Sequence, residues 1–327
     1  MLHIPNDGHD PYYNLAFEEY VLKNLGTGET CVLLWQNEPA VIVGRFQNTH
    51  AEINPDFIRR RGIHVVRRIT GGGAVYHDLG NLNFTFIEKK ASGRPDFRRF
   101  MEPVAEALAK MGITAEISGR NDLTIKGKKF SGNAQYYDRK AIMHHGTLLF
   151  ATDLEAVEAA LRVKQDKLAS KGVPSVRSRV TNISEHLAHP CTLAEFRDTL
   201  LTHLFQGKPF RQYRFNARQI AEVNRLRDEK YRTWEWNYGL SPQYNFQKSA
   251  RFSGGEIEVC LQVEKGLIQG CKLYGDFFSQ KELGALERQL VGLRYEQGTV
   301  LAALRDAKAE SYFEQVSTEE LGELFFP

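Results

Sequence analysis

Alternating apolar and polar positions divide the chain into short strands and amphipathic helices. Residues 31–35 and 40–44 (CVLLW and AVIVG) are apolar runs typical of short buried strands. Leu82, Phe84 and Phe86 alternate with other residues, which predicts a strand with one buried face. Between residues 122 and 150, strand-like runs are separated by turn sequences, which predicts an antiparallel meander.

Capping signals indicate where helices begin and end. Asp10 followed by Pro11 predicts a helix start, and the amphipathic pattern of residues 95–112 stops at Gly112. Pairs that match the capping-box pattern predict three further helix starts, namely Thr152 with Glu155, Thr192 with Glu195, and Ser317 with Glu320.

The order of these elements favours an α+β fold with mixed, mostly antiparallel sheets over a doubly wound parallel sheet, because neighbouring strands form hairpins. An aromatic, turn-rich segment ends near residue 245. We therefore predict a larger domain over residues 1–245 and a small α+β domain over residues 246–327. The smaller domain is expected to contain a hairpin followed by two or three helices.

Composition excludes several classes of protein. The 327 residues are 42% hydrophobic and 25% charged, which is ordinary for a globular protein. The net charge of +3, from 43 basic and 40 acidic residues, is too small to indicate a nucleic-acid partner. The N-terminus lacks an apolar signal core, and no apolar stretch approaches the roughly 18 residues that a membrane span needs. We expect a cytoplasmic protein without a membrane partner.

The four cysteines, Cys31, Cys191, Cys260 and Cys271, are widely separated and do not have zinc-binding spacing. Cys260 and Cys271 could face each other across a hairpin. Ordinary buried thiols in a reducing compartment are the preferred interpretation.

Three consecutive glycines follow two arginines in RRITGGG, residues 67–73. A glycine-rich turn can present backbone N–H groups to an anion and lets a ligand approach the backbone, and Arg68 offers a planar charged fork for carboxylate or phosphate. The run matches neither of the two standard nucleotide-binding loops. A flexible hairpin tip with surface arginines remains the alternative.

Five polar residues outside this run carry candidate chemistry and could meet it in space. Lys129 begins a strand after a tight turn, so its ammonium could reach across the sheet, or it is simply a solvated lysine. Asp122 could hold Mg²⁺ or cap a turn. His77, His144 and His145 fit no zinc pattern, and structural histidines are commoner. No serine or cysteine nucleophile motif occurs in these segments.

These segments together resemble the lipoate–protein ligase A family. The matching stretches are RRITGGGAVYHDLGN, GRNDLTIKGKKFSGNAQ, MHHGTLLF, KLASKGVPSVRSRVTNIS, and the shorter NLAFEE and WEWNYG. Because several linked motifs occur in order over essentially the whole chain, the resemblance is far more specific than the glycine run. It includes a C-terminal accessory domain like that of the longer family members.

The resemblance implies a biotin/lipoate ligase-like catalytic domain over residues 1–245 and an accessory domain over residues 246–327. It also implies that lipoate and Mg-ATP form lipoyl-AMP, and that the lipoyl group then passes to a lysine of a lipoyl-carrier domain. Such carriers are E2 subunits of 2-oxoacid dehydrogenases and the H protein of glycine cleavage. ATP and lipoic acid would be substrates, Mg²⁺ the metal, and no tightly bound prosthetic group is expected. The protein is expected to be a monomer.

The family's motifs also imply the site residues. Lys129 would be the catalytic residue, in contact with the α-phosphate and the acyl carbonyl, and Asp122 the candidate Mg²⁺ ligand. The implied ATP and adenylate contacts are Arg68, Gly73, Ala74, Val75, Tyr76, Asp122, Lys129, Ser175 and Arg179. The implied lipoate contacts are Arg68, Gly73, Val75, His77, Lys129 and His145. The basic loop at residues 164–182 would fold over the adenylate.

Three rival functions remain to be weighed. An octanoyltransferase of the same superfamily works without ATP but uses a cysteine nucleophile, and the core motifs contain none. A lipoate-binding protein without turnover need not keep Arg68, Lys129 and Asp122. A DNA-binding regulator would need a helix-turn-helix extension, for which the N-terminus has no room.

Overall fold

The computed structural model describes residues 1–90, 96–161, 179–238, 245–279 and 281–326. The chain forms two compact units. The first consists of Met1–Ile42, Glu52–Arg67 and Val75–Asn237, and the second of Val43–Ala51, Arg68–Ala74 and Tyr238–Pro327. The glycine run therefore belongs to the same unit as the C-terminal part of the chain. The domain boundary near residue 245 stays a prediction.

Fourteen strands lie in the described ranges. In chain order they are β1 (Leu2–His3), β2 (Cys31–Trp35), β3 (Ala40–Val43), β4 (His64–Arg67), β5 (Val75–His77), β6 (Asn81–Lys89), β7 (Glu116–Ser118), β8 (Asp122–Ile125), β9 (Lys128–Tyr137), β10 (Ala141–Leu149), β11 (Arg211–Gln212), β12 (Phe246–Phe252), β13 (Gly255–Glu264) and β14 (Leu267–Gly275).

Eleven helices lie in the described ranges, and those at Pro11–Leu25, Arg98–Lys110, Leu154–Ala160, Leu193–Leu204 and Thr318–Glu323 coincide with predicted helices. The eleven helices span Pro11–Leu25, Thr49–Glu52, Pro55–Arg61, Arg98–Lys110, Leu154–Ala160, Leu193–Leu204, Ala217–Leu226, Trp234–Asn237, Gly284–Leu290, Gln297–Asp306 and Thr318–Glu323. Single 3₁₀ turns occur at Ile183–His186 and Ala309–Tyr312, and a π turn at Arg227–Tyr231. None of the helices in the described ranges is long and apolar enough to cross a membrane.

The first unit is built on an eight-stranded sheet of order β11-β1-β2-β6-β10-β9-β8-β7. Strand β1 pairs in parallel with both β11 and β2, and the remaining neighbours are antiparallel. A second sheet has the order β4-β3-β5. The predicted α+β class with mixed, mostly antiparallel sheets is confirmed.

Two predicted capping boxes are confirmed and one is wrong. Thr192 and Ser317 both form capping boxes with the glutamate three residues later. The helix predicted to start at Thr152 is instead capped by Asp153. Its carboxylate accepts hydrogen bonds from the backbone N–H groups of Glu155 and Ala156, at 3.0 Å each. The backbone of Thr152 is bonded to the side chain of Asn182, so the chain enters the helix one residue later.

Strand β6 is buried on both faces, whereas the sequence pattern predicted a single buried face. Leu82, Phe84 and Phe86 form the expected apolar face, but Asn83 and Thr85 on the other face are also buried. Thr85 donates a hydrogen bond to Glu18 of helix Pro11–Leu25, so this helix covers the polar face. The candidate site lies on this face.

The second unit has its own core. Strands β12, β13 and β14 form an antiparallel sheet, and the predicted hairpin corresponds to β13 and β14. Strand β12 was not predicted, because its residues are partly exposed and have no clear apolar face. All four cysteines lie in the described part of the chain, where no disulfide joins them; Cys31, Cys260 and Cys271 are buried, and Cys191 is partly exposed.

Candidate active site

The adjacent histidines of strand β10 point to opposite faces of the large sheet, because side chains alternate along a strand. His144 is fully buried, bonded to Gln135 and Asn133 at 2.9 and 3.1 Å, and stacked on Phe100. Burial lowers the pKa of His144 well below its ordinary value. His144 is therefore a neutral core histidine, and His145 faces the polar side.

His145 lies against a buried carboxylate. Its Nδ1 atom is 3.1 and 3.2 Å from the two carboxylate oxygens of Glu18, which is 1% exposed. Thr85 Oγ1 donates to the same carboxylate, and Trp35 Nε1 donates to Thr85 Oγ1 at 3.0 Å. Glu18 is a candidate site residue that sequence reasoning missed. The NLAFEE motif contains it, but the sequence does not reveal its partner.

His77 lies on strand β5 and is 3% exposed. Its Nδ1 atom is 3.0 Å from Asn37 Nδ2, and the Trp35 ring lies edge-on to it at 6.2 Å. Tyr76 and Val75 precede it on the same strand and pair with Val41 and Ile42. Burial raises the pKa of Tyr76 to about 12, so its hydroxyl stays protonated at neutral pH.

A β-bulge determines where Lys129 points. Asp122 pairs with Gly132 and Leu123 with Ser131, but Thr124 pairs with Lys129, so one residue of β9 is left over. An extra residue reverses the alternation of side chains beyond it. Without the bulge Lys129 would share the face of Ser131; with it, Lys129 shares the face of Asp122 and Gly132.

Lys129 forms an accessible ion pair above Gly132. Its Nζ atom lies 2.8 Å from Asp122 Oδ1, and the side chains are 41% and 34% exposed. A Cβ at Gly132 would lie 3.1 Å from Lys129 Nζ and 3.2 Å from its Cε. The carbonyl oxygen of Lys129 accepts a hydrogen bond from Thr181 N–H at 3.0 Å. The backbone of Lys129 is thus fixed, while its ammonium is accessible.

Replacing Gly132 by alanine is expected to displace the Lys129 ammonium by a few tenths of an ångström and to weaken its ion pair with Asp122. Because reacting groups must be held closely, we expect a roughly 10-fold loss of activity at nearly unchanged stability. Steady-state kinetics and thermal unfolding measure the two effects. Gly298→Ala is the matched control, because no atom lies within 4 Å of the added methyl. Equal kinetics of the two variants would contradict the positioning role of Gly132.

Lys129, Asp122 and His145 share one face of the large sheet. Gly132 N–H donates to Thr147 Oγ1 at 3.1 Å, and His145 pairs with Ala134, two residues further along β9. The structure therefore places a cation, its paired carboxylate and a carboxylate-bound histidine on one surface.

Arg68, in the second unit, holds the glycine run. Its Nε atom donates to Thr70 Oγ1 at 2.8 Å, and Nη2 donates to the carbonyl oxygens of Gly71 and Gly73 at 2.7 and 2.8 Å. The side chain is buried. In this structure the guanidinium shapes the loop through its carbonyls, and its predicted contact with the nucleotide stays a prediction.

The three glycines differ in what an added side chain would meet. A Cβ at Gly71 would lie 2.4 Å from the carbonyl oxygen of Phe277, and one at Gly72, where φ is +90°, 3.1 Å from the Phe278 ring. A Cβ at Gly73 would meet nothing within 4 Å, and Ala74 follows it half-buried. Packing within the unit therefore requires the first two glycines, and only Gly73 lines open space.

Alanine at Gly71 and at Gly73 should separate stability from binding. Gly71→Ala is expected to lower the stability of the second unit by about 2–3 kcal/mol, because backbone atoms must shift. Gly73→Ala should leave stability nearly unchanged and raise the KM for nucleotide. Calorimetry and steady-state kinetics of both variants test this. A large stability loss at Gly73 or none at Gly71 would contradict the division of roles.

The remaining predicted residues lie beside Lys129 or outside the described ranges. Arg179 is exposed and precedes Val180, which forms a parallel bridge to Lys129. Ser175 and most of the predicted 164–182 loop lie outside the described residues. Within the described ranges no group of three His, Cys, Asp or Glu side chains could hold a metal. A single carboxylate such as Asp122 is compatible with Mg²⁺ that enters bound to phosphates, because such ions often take only one or two protein carboxylates.

Comparison with known proteins gives the family. A model for the lipoyl protein ligase A/B catalytic domain matches residues 10–205, and one for the bacterial lipoate protein ligase C-terminus matches residues 241–325. The lipoate-protein ligase LplJ of Bacillus subtilis is 43% identical over 100% of both chains. Lipoate–protein ligase 1 of Staphylococcus aureus is 41% identical over 97% of each. The chain belongs to the lipoyl protein ligase A/B family.

Solved structures agree with this assignment. P. falciparum LipL1, in complex with lipoate, covers 99% of this chain and 98% of its own at a TM-score of 0.80; its 23% identity bears on the fold alone. A lipoate-protein ligase A bound with ATP matches at TM-score 0.64, with 28% identity over 74% of this chain and 100% of its own. A bi-partite ligase with its E2 lipoyl domain, from Thermoplasma acidophilum, matches at 0.67, with 29% identity over 75% and 98%. The predicted family, fold and enzyme class, that of the lipoate–protein ligases, are confirmed.

Proposed function

We propose that the protein activates lipoate with Mg-ATP to lipoyl-AMP and then transfers the lipoyl group to a lysine of a lipoyl-carrier domain. The observation that carries the proposal is the accessible Lys129–Asp122 pair above Gly132. Relatives named lipoate–protein ligases, a related ligase bound with ATP, and another found with its E2 lipoyl domain support the same substrates.

The first half-reaction joins two anions, the lipoate carboxylate and the α-phosphate of ATP. The Lys129 ammonium would offset their repulsion and stabilise the charge that builds on the phosphate in the transition state. Mg²⁺ would enter as part of the nucleotide substrate, with Asp122 as its candidate protein ligand. No protein nucleophile is needed, because the carboxylate of lipoate attacks directly.

The second half-reaction releases AMP. The carrier's lysine amine attacks the acyl carbonyl of lipoyl-AMP, and Lys129 would polarise that carbonyl. Positioning and electrostatics would carry both steps. The proposed carriers are E2 subunits of 2-oxoacid dehydrogenases and the glycine cleavage H protein. The nucleotide contacts predicted for Arg68, Gly73 and Ala74 are part of this proposal.

The raised pKa values of the cysteines argue against the octanoyltransferase alternative, because the nucleophilic form of a cysteine is the thiolate. Burial raises the pKa of Cys31 to about 11, and the pKa values of Cys191 and Cys271 are raised by burial too. A cysteine-based acyl transfer would need a thiol of lower pKa near the site.

Lipoyl-AMP formation without any carrier tests the proposal. Purified protein with lipoate and Mg-ATP should release pyrophosphate and yield lipoyl-AMP in equal amounts, detectable by mass spectrometry. Tight lipoate binding with no pyrophosphate would contradict the proposal and favour the binding-protein alternative.

A further inference from the structure

Two residues of helix Pro11–Leu25, one turn apart, are linked to the two histidines, directly to His145 and through Asn37 to His77. Asn14 and Glu18 are four positions apart and therefore lie on the same helix face. Glu18 bonds His145 directly, and Asn14 reaches His77 through Asn37. One helix face thus determines the hydrogen bonding of both rings.

The hydrogen bonds of Asn14 determine the tautomer of His77. Asn14 Nδ2 lies 3.0 and 2.8 Å from the carbonyl oxygens of Gly8 and Gln36, which only accept, so this atom is the amide nitrogen. The same nitrogen lies 2.9 Å from the Asn37 side-chain amide, where a second NH2 group would face a donor, so the facing atom is Asn37 Oδ1, which shares the two hydrogens with the carbonyls. Asn37 Nδ2 then faces His77 Nδ1 at 3.0 Å. An amide N–H only donates, so His77 Nδ1 accepts and the ring proton is on Nε2.

The bonds around Glu18 give His145 the opposite tautomer. Trp35 Nε1–H only donates, so Thr85 Oγ1 accepts a hydrogen bond from it and donates its own hydrogen bond to Glu18. The Glu18 carboxylate accepts, and both of its oxygens are within 3.2 Å of His145 Nδ1. The proton of the neutral His145 ring is therefore on Nδ1, and Nε2 is the basic nitrogen.

We propose that this helix face makes His77 a hydrogen-bond donor through Nε2–H and makes His145 Nε2 the acceptor of the proton that the carrier's lysine loses in acyl transfer. Glu18 and Asn14 act as positioning residues. The inference rests on the proposed function for its second half-reaction. The assignment of tautomers rests on the hydrogen bonds alone.

The chemistry of the transfer step requires such an acceptor. A lysine amine has an unperturbed pKa of about 10.4 and is mostly protonated at neutral pH. Its nitrogen forms the bond to the acyl carbon, the bond from that carbon to the phosphate oxygen breaks, and AMP leaves with the electron pair. The ammonium loses two protons in becoming the amide N–H: one goes to solvent before the attack, and the other passes to His145 Nε2 as the amide forms.

Neighbouring groups are poorer acceptors than His145. The Lys129 ammonium carries no lone pair, and Asp122 Oδ1 is bonded to it. Gly132, beneath the ammonium, and Ala134, opposite His145, are two residues apart on β9, roughly 7 Å along the strand. An acyl carbonyl and its attacking nitrogen fit between groups at that spacing.

Nitrogen NMR of the wild-type protein tests the tautomers without any substrate. With ¹⁵N-labelled histidine, and signals assigned from His77→Gln and His145→Gln, we expect Nε2–H for His77 and Nδ1–H for His145 at alkaline pH. The same tautomer for both rings would overturn the inference.

Separate measurement of the half-reactions tests the role in transfer. Glu18→Gln should slow single-turnover transfer from lipoyl-AMP to the carrier by about 100-fold, within the range for general-base catalysis, and leave pyrophosphate release nearly unchanged. Glu18→Asp should recover part of the loss. Equal losses in both half-reactions, or unchanged transfer, would overturn the proposal.

Glu19→Gln is the matched control, because it makes the same change one residue away, in a carboxylate bonded to Lys23, Lys230 and Tyr231. It should lower stability without changing the ratio of the two rates per folded molecule. If Glu18→Gln does not fold, Glu18→Asp must show a smaller loss that is still confined to transfer. If the wild type forms no lipoyl-AMP, the proposed function fails, and the NMR result still decides the tautomers.

Discussion

Lys129→Ala is expected to abolish both half-reactions, with a rate loss of about 10³-fold or more in each. Removal of one preorganised donor from a developing oxyanion costs about 10²–10³ in rate, and Lys129 would serve both the phosphate and the acyl carbonyl. The ion pair with Asp122 is substantially exposed, so stability should change by less than about 1 kcal/mol.

Pyrophosphate release and single-turnover transfer measure the two losses separately. The matched control is Lys128→Ala, which removes the preceding, exposed lysine of the same strand. It should retain near wild-type rates in both steps. Full activity of Lys129→Ala, or an equal loss in Lys128→Ala, would refute the role of Lys129.

Glu19→Gln should cause the largest stability change, about 3–5 kcal/mol, without removing any group of the proposed chemistry. Its carboxylate is 3% exposed and accepts hydrogen bonds from Lys23, from Lys230 at 2.7 Å and from Tyr231 at 2.6 Å. The variant leaves the cation of Lys230 without its buried charge partner. Denaturant unfolding measures the loss, and exposed Glu106→Gln on another helix is the control.

Glu19→Gln should also change how the stability of the protein depends on pH. Burial alone would raise the pKa of Glu19, but Lys230 and the hydrogen bonds from Lys23 and Tyr231 outweigh it and lower the pKa. A lowered folded-state pKa stabilises the protein above the unfolded value of about 4.3, and this contribution is lost as pH falls through the folded value. Glu19→Gln should therefore lose less stability than the wild type on acidification. Parallel acid curves would contradict this.

Sequence patterns were sufficient for most elements and for the family. Capping residues and apolar periodicity depend on neighbours in sequence, which is why the helix at Pro11–Leu25 and the meander β8–β10 were predicted. Thr152 was wrongly predicted to cap a helix, because its backbone is instead hydrogen-bonded to Asn182, thirty residues away. The two faces of β6 illustrate the same limit, since the polar residue Thr85 is buried where Glu18 accepts its hydrogen bond, and Glu18 is distant in sequence.

The candidate site was predicted only in part. Motifs named Lys129 and His145, but no local pattern reveals the bulge that turns Lys129 towards Asp122. The partners Glu18 and Asn37 come from distant parts of the chain and emerge only in the folded structure. The glycine run was interpreted as a ligand cradle, whereas packing against Phe277 and Phe278 explains two of its three residues.

The most direct test of the central claim is the intact mass of a purified lipoyl-carrier domain incubated with this protein and lipoate, with and without Mg-ATP. We predict a lipoyl-sized increase only with ATP, and none with Lys129→Ala in place of the wild type. An increase without ATP, or one that persists in Lys129→Ala, would contradict ATP-dependent ligation at the Lys129 site. No increase with any carrier, despite bound lipoate, would contradict ligation altogether.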